Sequence, residues 1–311
     1  MPARVKARGE FMKPVTLIGA PTDVGASIRG ASMGPEALRV ADIAAALART
    51  GLVVNDAGNL SGPGNPWQAP VDGMRHLQEV LAWNQQIFDI AYATLRDGQM
   101  PLLMGGDHCL AIGSVSAAAR HCREQGKRLL VLWLDAHADA NTGSTSPTGN
   151  IHGMPVACLC GDGPAPLIAL SGTTPAMSAQ QIRQIGIRSV DAQEKLRLRE
   201  LGLTVYDMRY IDENGMRQTM EQALAGIDAN THLHVSFDVD FLDSQIAPGV
   251  GTPVRGGPTY REAHLALEMI EDTGALGSLD VLELNPARDV HNQTAELVVE
   301  LLESLFGKST L

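Results

Sequence analysis

Short apolar runs alternate with longer helical patterns along nearly the whole chain, and that alternation restricts the fold more than any other feature. The runs are Val15 to Ile18, Leu52 to Val54, Leu102 to Met104, Leu129 to Leu134, Gln184 to Ile187, Leu203 to Tyr206, His232 to Phe237 and Leu279 to Leu284. Between them, Pro35 to Thr50 has proline early and Gly51 just past its end. Proline fits a first helical turn, where its missing N–H would be unpaired anyway, and glycine fits the left-handed position beyond the last turn. Met74 to Asp97 is amphipathic and closed by Gly98, and further helical patterns cover Leu110 to Gln125, Glu213 to Gly226, Tyr260 to Thr273 and Asn292 to Phe306. Strands separated by helices bury both faces of a parallel sheet. The expectation is an α/β fold of three layers, α/β/α, around a central, mainly parallel eight-stranded sheet. Asn59 to Pro70 and Gly161 to Pro175 read as Gly/Pro-rich loops. Neither divides the composition, so residues 1–311 read as a single domain, with 1–12 a flexible arm.

Composition excludes several partners. Hydrophobic residues make up 44% of the 311, enough for a large core, but aromatics are only 4%, so aliphatic side chains and alanine must fill it. A formal net charge of -11 disfavours nucleic acid and anionic membrane surfaces. A small, cationic substrate fits better. Cys109, Cys122, Cys158 and Cys160 lack zinc-site spacing and do not form a disulfide scaffold. They read as reduced, buried thiols of a cytoplasmic protein. The basic start, Met1 to Arg8, has no apolar segment behind it, and no apolar run is long enough to span a membrane.

The ionisable residues at the strand ends carry the chemistry. Asp135-Ala136-His137-Ala138-Asp139 follows the run ending at Leu134. In an extended segment, side chains at i, i+2 and i+4 point the same way. Three ionisable groups so crowded repel or pay desolvation unless a cation lies among them. Asp238-Val239-Asp240 repeats the arrangement after Phe237, His108 follows the third run, and Glu283 closes the eighth. In open α/β sheets ligands bind beyond the carboxyl ends of the strands, so these groups can converge. Read singly, Asp107-His108 could be a helix cap beside a core histidine, and Asp238 and Asp240 could cap a turn. Jointly, His108, Asp135, His137, Asp139, Asp238 and Asp240 make two imidazoles and four carboxylates, too many for one ion. Two divalent cations balance the four negative charges, and an oxygen-rich set with some nitrogen favours Mn²⁺. His121, His232, His234, His264 and His291 read as structural.

Three of these stretches, Gly105-Gly106-Asp107-His108, Asp135 to Asp139 and Ser236-Phe237-Asp238-Val239-Asp240, together resemble the signatures of the ureohydrolases. The resemblance runs from Gly19-Ala20-Pro21 to Leu282-Glu283-Leu284-Asn285-Pro286. It implies two manganese ions per subunit and attack of a metal-bridging hydroxide on a guanidino group. Within the family the chain looks most like the arginases, which convert L-arginine to L-ornithine and urea. The discriminating stretch is Asn141-Thr142 with Thr148-Gly149-Asn150-Ile151-His152-Gly153. By resemblance, Asn141, Thr148 and Asn150 read the amino-acid end of the substrate, and Asp191 and Glu194 lie near its α-ammonium. Thr148 stands where arginases usually carry serine. Glu283 would hold the guanidinium with support from Thr252, Asp139 would donate the proton to the leaving amine, and His152 would shuttle protons to solvent. The family also implies a homotrimer or homohexamer. Rival readings are an agmatinase or another guanidino-acid hydrolase, a non-catalytic metal-binding protein on the same scaffold, and a dinuclear phosphoesterase, for which no phosphate clamp is visible.

Overall fold

A computed structural model describes residues 13–308; the arm expected over residues 1–12 lies outside the described residues. Eight strands form one sheet: β1 Val15–Ala20, β2 Val54–Asn59, β3 Met100–Gly105, β4 Arg128–Leu134, β5 Ile182–Ile187, β6 Thr204–Asp207, β7 Thr231–Asp238 and β8 Leu276–Leu282. Their order is β2-β1-β3-β8-β7-β4-β5-β6, and every pairing is parallel. The sequence expectation of a parallel eight-stranded sheet with helices on both faces therefore holds.

The strand order explains why the site forms. β3, β8, β7 and β4 are consecutive in the centre of the sheet. They come from distant parts of the chain, yet each delivers an ionisable group at its carboxyl end. One face of the sheet is covered by helices Leu77–Arg96 and Ala111–Gln125, whose Val80, Ile87, Ile112 and Val115 are buried. The other is covered by Gly34–Val40, Met208–Ala223, Tyr260–Asp272 and Gln293–Leu305, which bury Leu38, Met220, Leu267 and Val298. Each such side chain contributes about 1.5–3 kcal/mol by leaving water, so a rigid aliphatic frame surrounds the polar strand ends.

Four expectations need adjustment. The second strand begins where the apolar run ends, because β2 (VNDAGN) is an edge strand with little to bury. Pro35 to Thr50 is two helices, Gly34–Val40 and Ile43–Arg49, broken where Asp42 takes a left-handed φ of 63°. Helix Ala192–Leu201 was missed: it is strongly charged, and its start is fixed by the Asp191 carboxylate accepting from the Gln193 and Glu194 amides. A short helix, Ala165–Ile168, lies inside the expected 161–175 loop.

β8 ends at Leu282, so Glu283 is the first residue past the strand. Its φ of 64° is left-handed, which a non-glycine residue adopts at some cost. An amide bond to the Gly106 carbonyl, 2.7 Å, holds it there. Gly106 itself has no room for a side chain, since a Cβ would lie 1.4 Å from the Thr22 carbonyl oxygen.

Candidate metal centre and cleft

The six proposed ligands meet at the carboxyl edge of β3, β7 and β4. His108 is buried, its ring stacked on Trp133 at 4.3 Å. Its Nε2 bonds the Ser236 hydroxyl at 2.8 Å, which aims Nδ1 at three carboxylates. Asp135 and Asp139 lie 3.1 Å from Nδ1, and Asp238 lies 3.0 Å away. His137 Nδ1 is 3.1 Å from Asp240 and 3.5 Å from Asp135. The ligand atoms form two overlapping triads, His108 with Asp135 and Asp238, and Asp135 with His137 and Asp240. Asp135 belongs to both.

Supporting hydrogen bonds orient these groups. Asp135 accepts from Trp133 Nε1 at 2.8 Å and from the His137 amide at 2.6 Å. Asp238 accepts from the Asp240 amide at 2.7 Å. Asp240 accepts from the Ala136 amide at 3.2 Å and the Thr252 hydroxyl at 3.0 Å. Yet two buried atoms facing the middle of the cluster, His108 Nδ1 and Asp139 Oδ2, lie 3.1 Å apart without a well-aligned hydrogen bond to each other or to any other group. Buried polar atoms are rarely left so. Charge gives the same message. Burial favours the neutral forms, lowering His108 and raising Asp139, and Asp238 rises as well, with the Asp240 and Asp135 charges adding to burial. The carboxylates around His108 outweigh its burial and hold it well above an ordinary histidine. The cluster demands positive charge at its centre, and the donor set fits hard or borderline divalent ions.

Above the ligands lies a cleft of about 190 Å³, small enough to select a small molecule. Its lining includes His108, His137, Asp139, Asn141, Thr148, Asn150, His152, Asp191, Glu194, Asp238, Thr252 and Glu283. Asp135 and Asp240 sit behind that lining, fully buried. The structure thus brings all the sequence-selected residues to one place, although some face differently than expected. Asn141 spends its amide on Asp191, 2.8 Å, and its oxygen on Thr145, 2.8 Å. Thr252 faces the ligand Asp240. The Thr148 hydroxyl accepts from the Asn150 amide, 3.2 Å, and Asn150 Nδ2 donates to Ser27, 3.0 Å. Glu194 accepts from the Ala140 amide at 2.9 Å; burial and the nearby Asp139 charge push its carboxyl up to about 7.

Glu283 and His152 form a pair. One Glu283 oxygen accepts from the His108 amide at 2.9 Å and bonds His152 Nδ1 at 2.9 Å, while the other lies toward Gly251. Burial works against both charges, but the pairing overcomes it. Glu283 is held below the usual carboxylate range and His152 is raised to about 9. Asp139 has a left-handed φ of 51°, and burial and Asp135 raise its carboxyl to about 6.

Sequence reasoning missed a supporting layer: Trp133 and Ser236, which orient ligands, and Arg188, described below. Trp133 and Ser236 sit in runs that read only as buried strand. Their signal was that each lies two residues before a ligand, on the same face of its strand.

The comparisons with known proteins agree with this geometry. A family model described as the Arginase family matches residues 13–307. The chain is 41% identical over 300 residues to an arginase of Bacillus subtilis, covering 96% of this chain and 99% of that one. An arginase structure from Bacillus caldovelox superposes with a TM-score of 0.91 at 39% identity, over 96% of this chain and 100% of that one. A hypothetical agmatinase structure from Burkholderia thailandensis reaches a TM-score of 0.71 at 26% identity, over 94% of this chain and 85% of that one. The chain belongs to the arginase family and is a hydrolase of the ureohydrolase type.

Proposed function

We propose that this enzyme hydrolyses L-arginine to L-ornithine and urea with two Mn²⁺ ions. They would be held by His108, Asp135, His137, Asp139, Asp238 and Asp240, with Asp139 on the His108 side. The observation that carries the reading is one cleft containing two overlapping ligand triads, a buried Glu283 facing them, and acids at the mouth. When bound, such ions lower the pKa of water enough to supply a hydroxide nucleophile near neutral pH.

The chain's own residues do the rest. Glu283 offers a buried anion to a guanidinium, and desolvation strengthens that charge-assisted bond. Docking there competes with His152 for the same carboxylate. Losing the Glu283 charge removes what holds His152 near 9, so its proton becomes available at neutral pH. Asp139 would accept a proton and return it beside the reacting carbon. The departing ornithine amine then takes that proton, and His152 would pass to solvent the proton released when the next water is ionised. Asp191 and Glu194 suit the α-ammonium, with Asn141 fixing Asp191; Thr148 and Asn150 shape the side facing the α-carboxylate. Thr252 acts on the metal ligand Asp240.

Residues 1–311 would act as one catalytic domain, in a homotrimer or homohexamer, as the family resemblance implies. Four unpaired cysteines support a cytoplasmic setting; among the described residues no helix is long and apolar enough to cross a membrane. The test is urea release by Mn²⁺-loaded protein from arginine, agmatine and guanidinobutyrate. Arginine is expected to be fastest. Faster hydrolysis of agmatine would replace the substrate assignment.

A further inference from the structure

Arg188 follows β5 and is not among the residues that line the cleft, yet its side chain ties several segments of the site together. Its guanidinium donates to five backbone carbonyls: Gly186 at 3.1 Å, Asp240 at 2.7 Å, Phe241 at 3.1 Å, Leu242 at 3.2 Å and Val254 at 2.9 Å. Its own amide and that of Ser189 both donate to the Ala136 carbonyl at 2.9 Å. Among the described residues it has no carboxylate within ion-pair distance, and its Nε is buried without a partner. Gly257 clears the path, since a Cβ there would lie 2.6 Å from the guanidinium.

The segments so tied are specific. Ala136 lies between Asp135 and His137. The second segment starts at Asp240. The third, ending at Val254, contains Thr252, whose hydroxyl holds Asp240. Each carries a member of the Asp135-His137-Asp240 triad or a group that orients one. His108, by contrast, is set by Trp133 and Ser236, and Arg188 makes no hydrogen bond to either. A guanidinium is suited to this work: five donors in a rigid fork can satisfy several carbonyls at once, which an ammonium cannot.

We propose that Arg188 is the positioning residue of one half of the metal centre, fixing the triad of Asp135, His137 and Asp240 by clamping the backbone that carries it. The proposal rests on the two-metal reading, and its test reads metal binding directly, so the two can fail separately. Mn²⁺ is titrated into metal-free wild type, Arg188→Lys and Arg183→Lys, with bound metal counted and folding checked by circular dichroism. Arg183 is the control. It sits in β5, the strand that Arg188 follows, and donates to the Ala223 and Ala225 carbonyls, far from the ligands.

Arg188→Lys is expected to bind its first Mn²⁺ normally and its second about 10–100-fold more weakly, the range for removing a ligand's orienting partner. High Mn²⁺ should restore the second ion and, with it, turnover at an unchanged KM. Arg183→Lys should leave the isotherm unchanged. If folded Arg188→Lys binds both ions as wild type does, or loses both equally, or if Arg183→Lys weakens the second ion as much, the proposal is wrong. Should Arg188→Lys not fold, Arg188→Gln is titrated by the same criteria; if neither folds while Arg183→Lys does, Arg188 has a general structural role and the proposal is overturned. Wild type that binds a single ion would instead overturn the two-metal reading.

Discussion

β7 carries two buried polar clusters on the same face, and they have opposite characters. In the lower one, Asp280 accepts from the Ser114 hydroxyl at 2.5 Å and from His234 Nε2 at 3.1 Å. With the proton of His234 on Nε2, its Nδ1 takes a hydrogen bond from Ser278, 2.8 Å, which leaves the Ser278 oxygen to accept from His232 Nε2, 2.9 Å. Every bond points toward Asp280, and the cluster closes on itself. The upper one, around His108 and Asp238, uses the same residue types in the same strand. It leaves His108 Nδ1 and Asp139 Oδ2 buried, 3.1 Å apart and without a well-aligned hydrogen bond, and it crowds three carboxylates onto that one nitrogen. A histidine and an aspartate in a sheet core are therefore not in themselves a site. What marks a site is the unsatisfied remainder, together with a surplus of negative charge.

This contrast can be broken by substitution. The largest effect is expected from Asp238→Ala: metal content falls and urea release drops on the order of 1,000-fold, since several kcal/mol of charge stabilisation vanish. A metallated, active Asp238→Ala would place the open cluster with the closed one. His234→Ala should do the reverse. Leaving Asp280 without its histidine costs about 3–5 kcal/mol of stability, read by denaturant unfolding, while Mn²⁺ affinity stays unchanged. Loss of metal with little loss of stability would merge the two clusters.

Two finer variants divide the open cluster's duties. Glu283→Gln should raise KM for arginine about 10–100-fold, the worth of a charge-assisted hydrogen bond, with both metals bound. His152→Ala should instead lower kcat, and exogenous imidazole should restore part of it. Unchanged kinetics in either variant removes that residue's role.

The smallest effect is a pH dependence. In chelated protein, burial acts to lower His137 and His152, but Asp240 and Glu283 respectively prevail, raising them to about 12 and about 9. Between pH 7 and 9 the fold keeps protons that an unfolded histidine, near 6.5, has already lost. The folded state binds more protons, so stability falls as pH rises through this window. Mn²⁺ displaces such protons, so the gain in Tm on adding Mn²⁺ should grow over the same interval. A Tm of the chelated protein that rises from pH 7 to 9 would contradict the assigned shifts.

Much of this was legible in the sequence because it is local. Asp135, His137 and Asp139 announce themselves by strand-end spacing, and the apolar runs announce the strands. What was not legible depends on distant pairing. Nothing near Arg188 says that it will meet the carbonyls of residues 240–242 and 254. Helix Ala192–Leu201 lacks an apolar stripe because it buries little, so periodicity could not find it. Histidine alone was ambiguous: His108 and His234 look alike until their partners are seen.

The most direct test of the central claim is a titration of Mn²⁺ into chelated protein, with bound metal and urea release from arginine measured together. The open cluster predicts two ions per chain, with activity rising as the second binds. Two bound ions with no urea from arginine, or full activity with none bound, would contradict it.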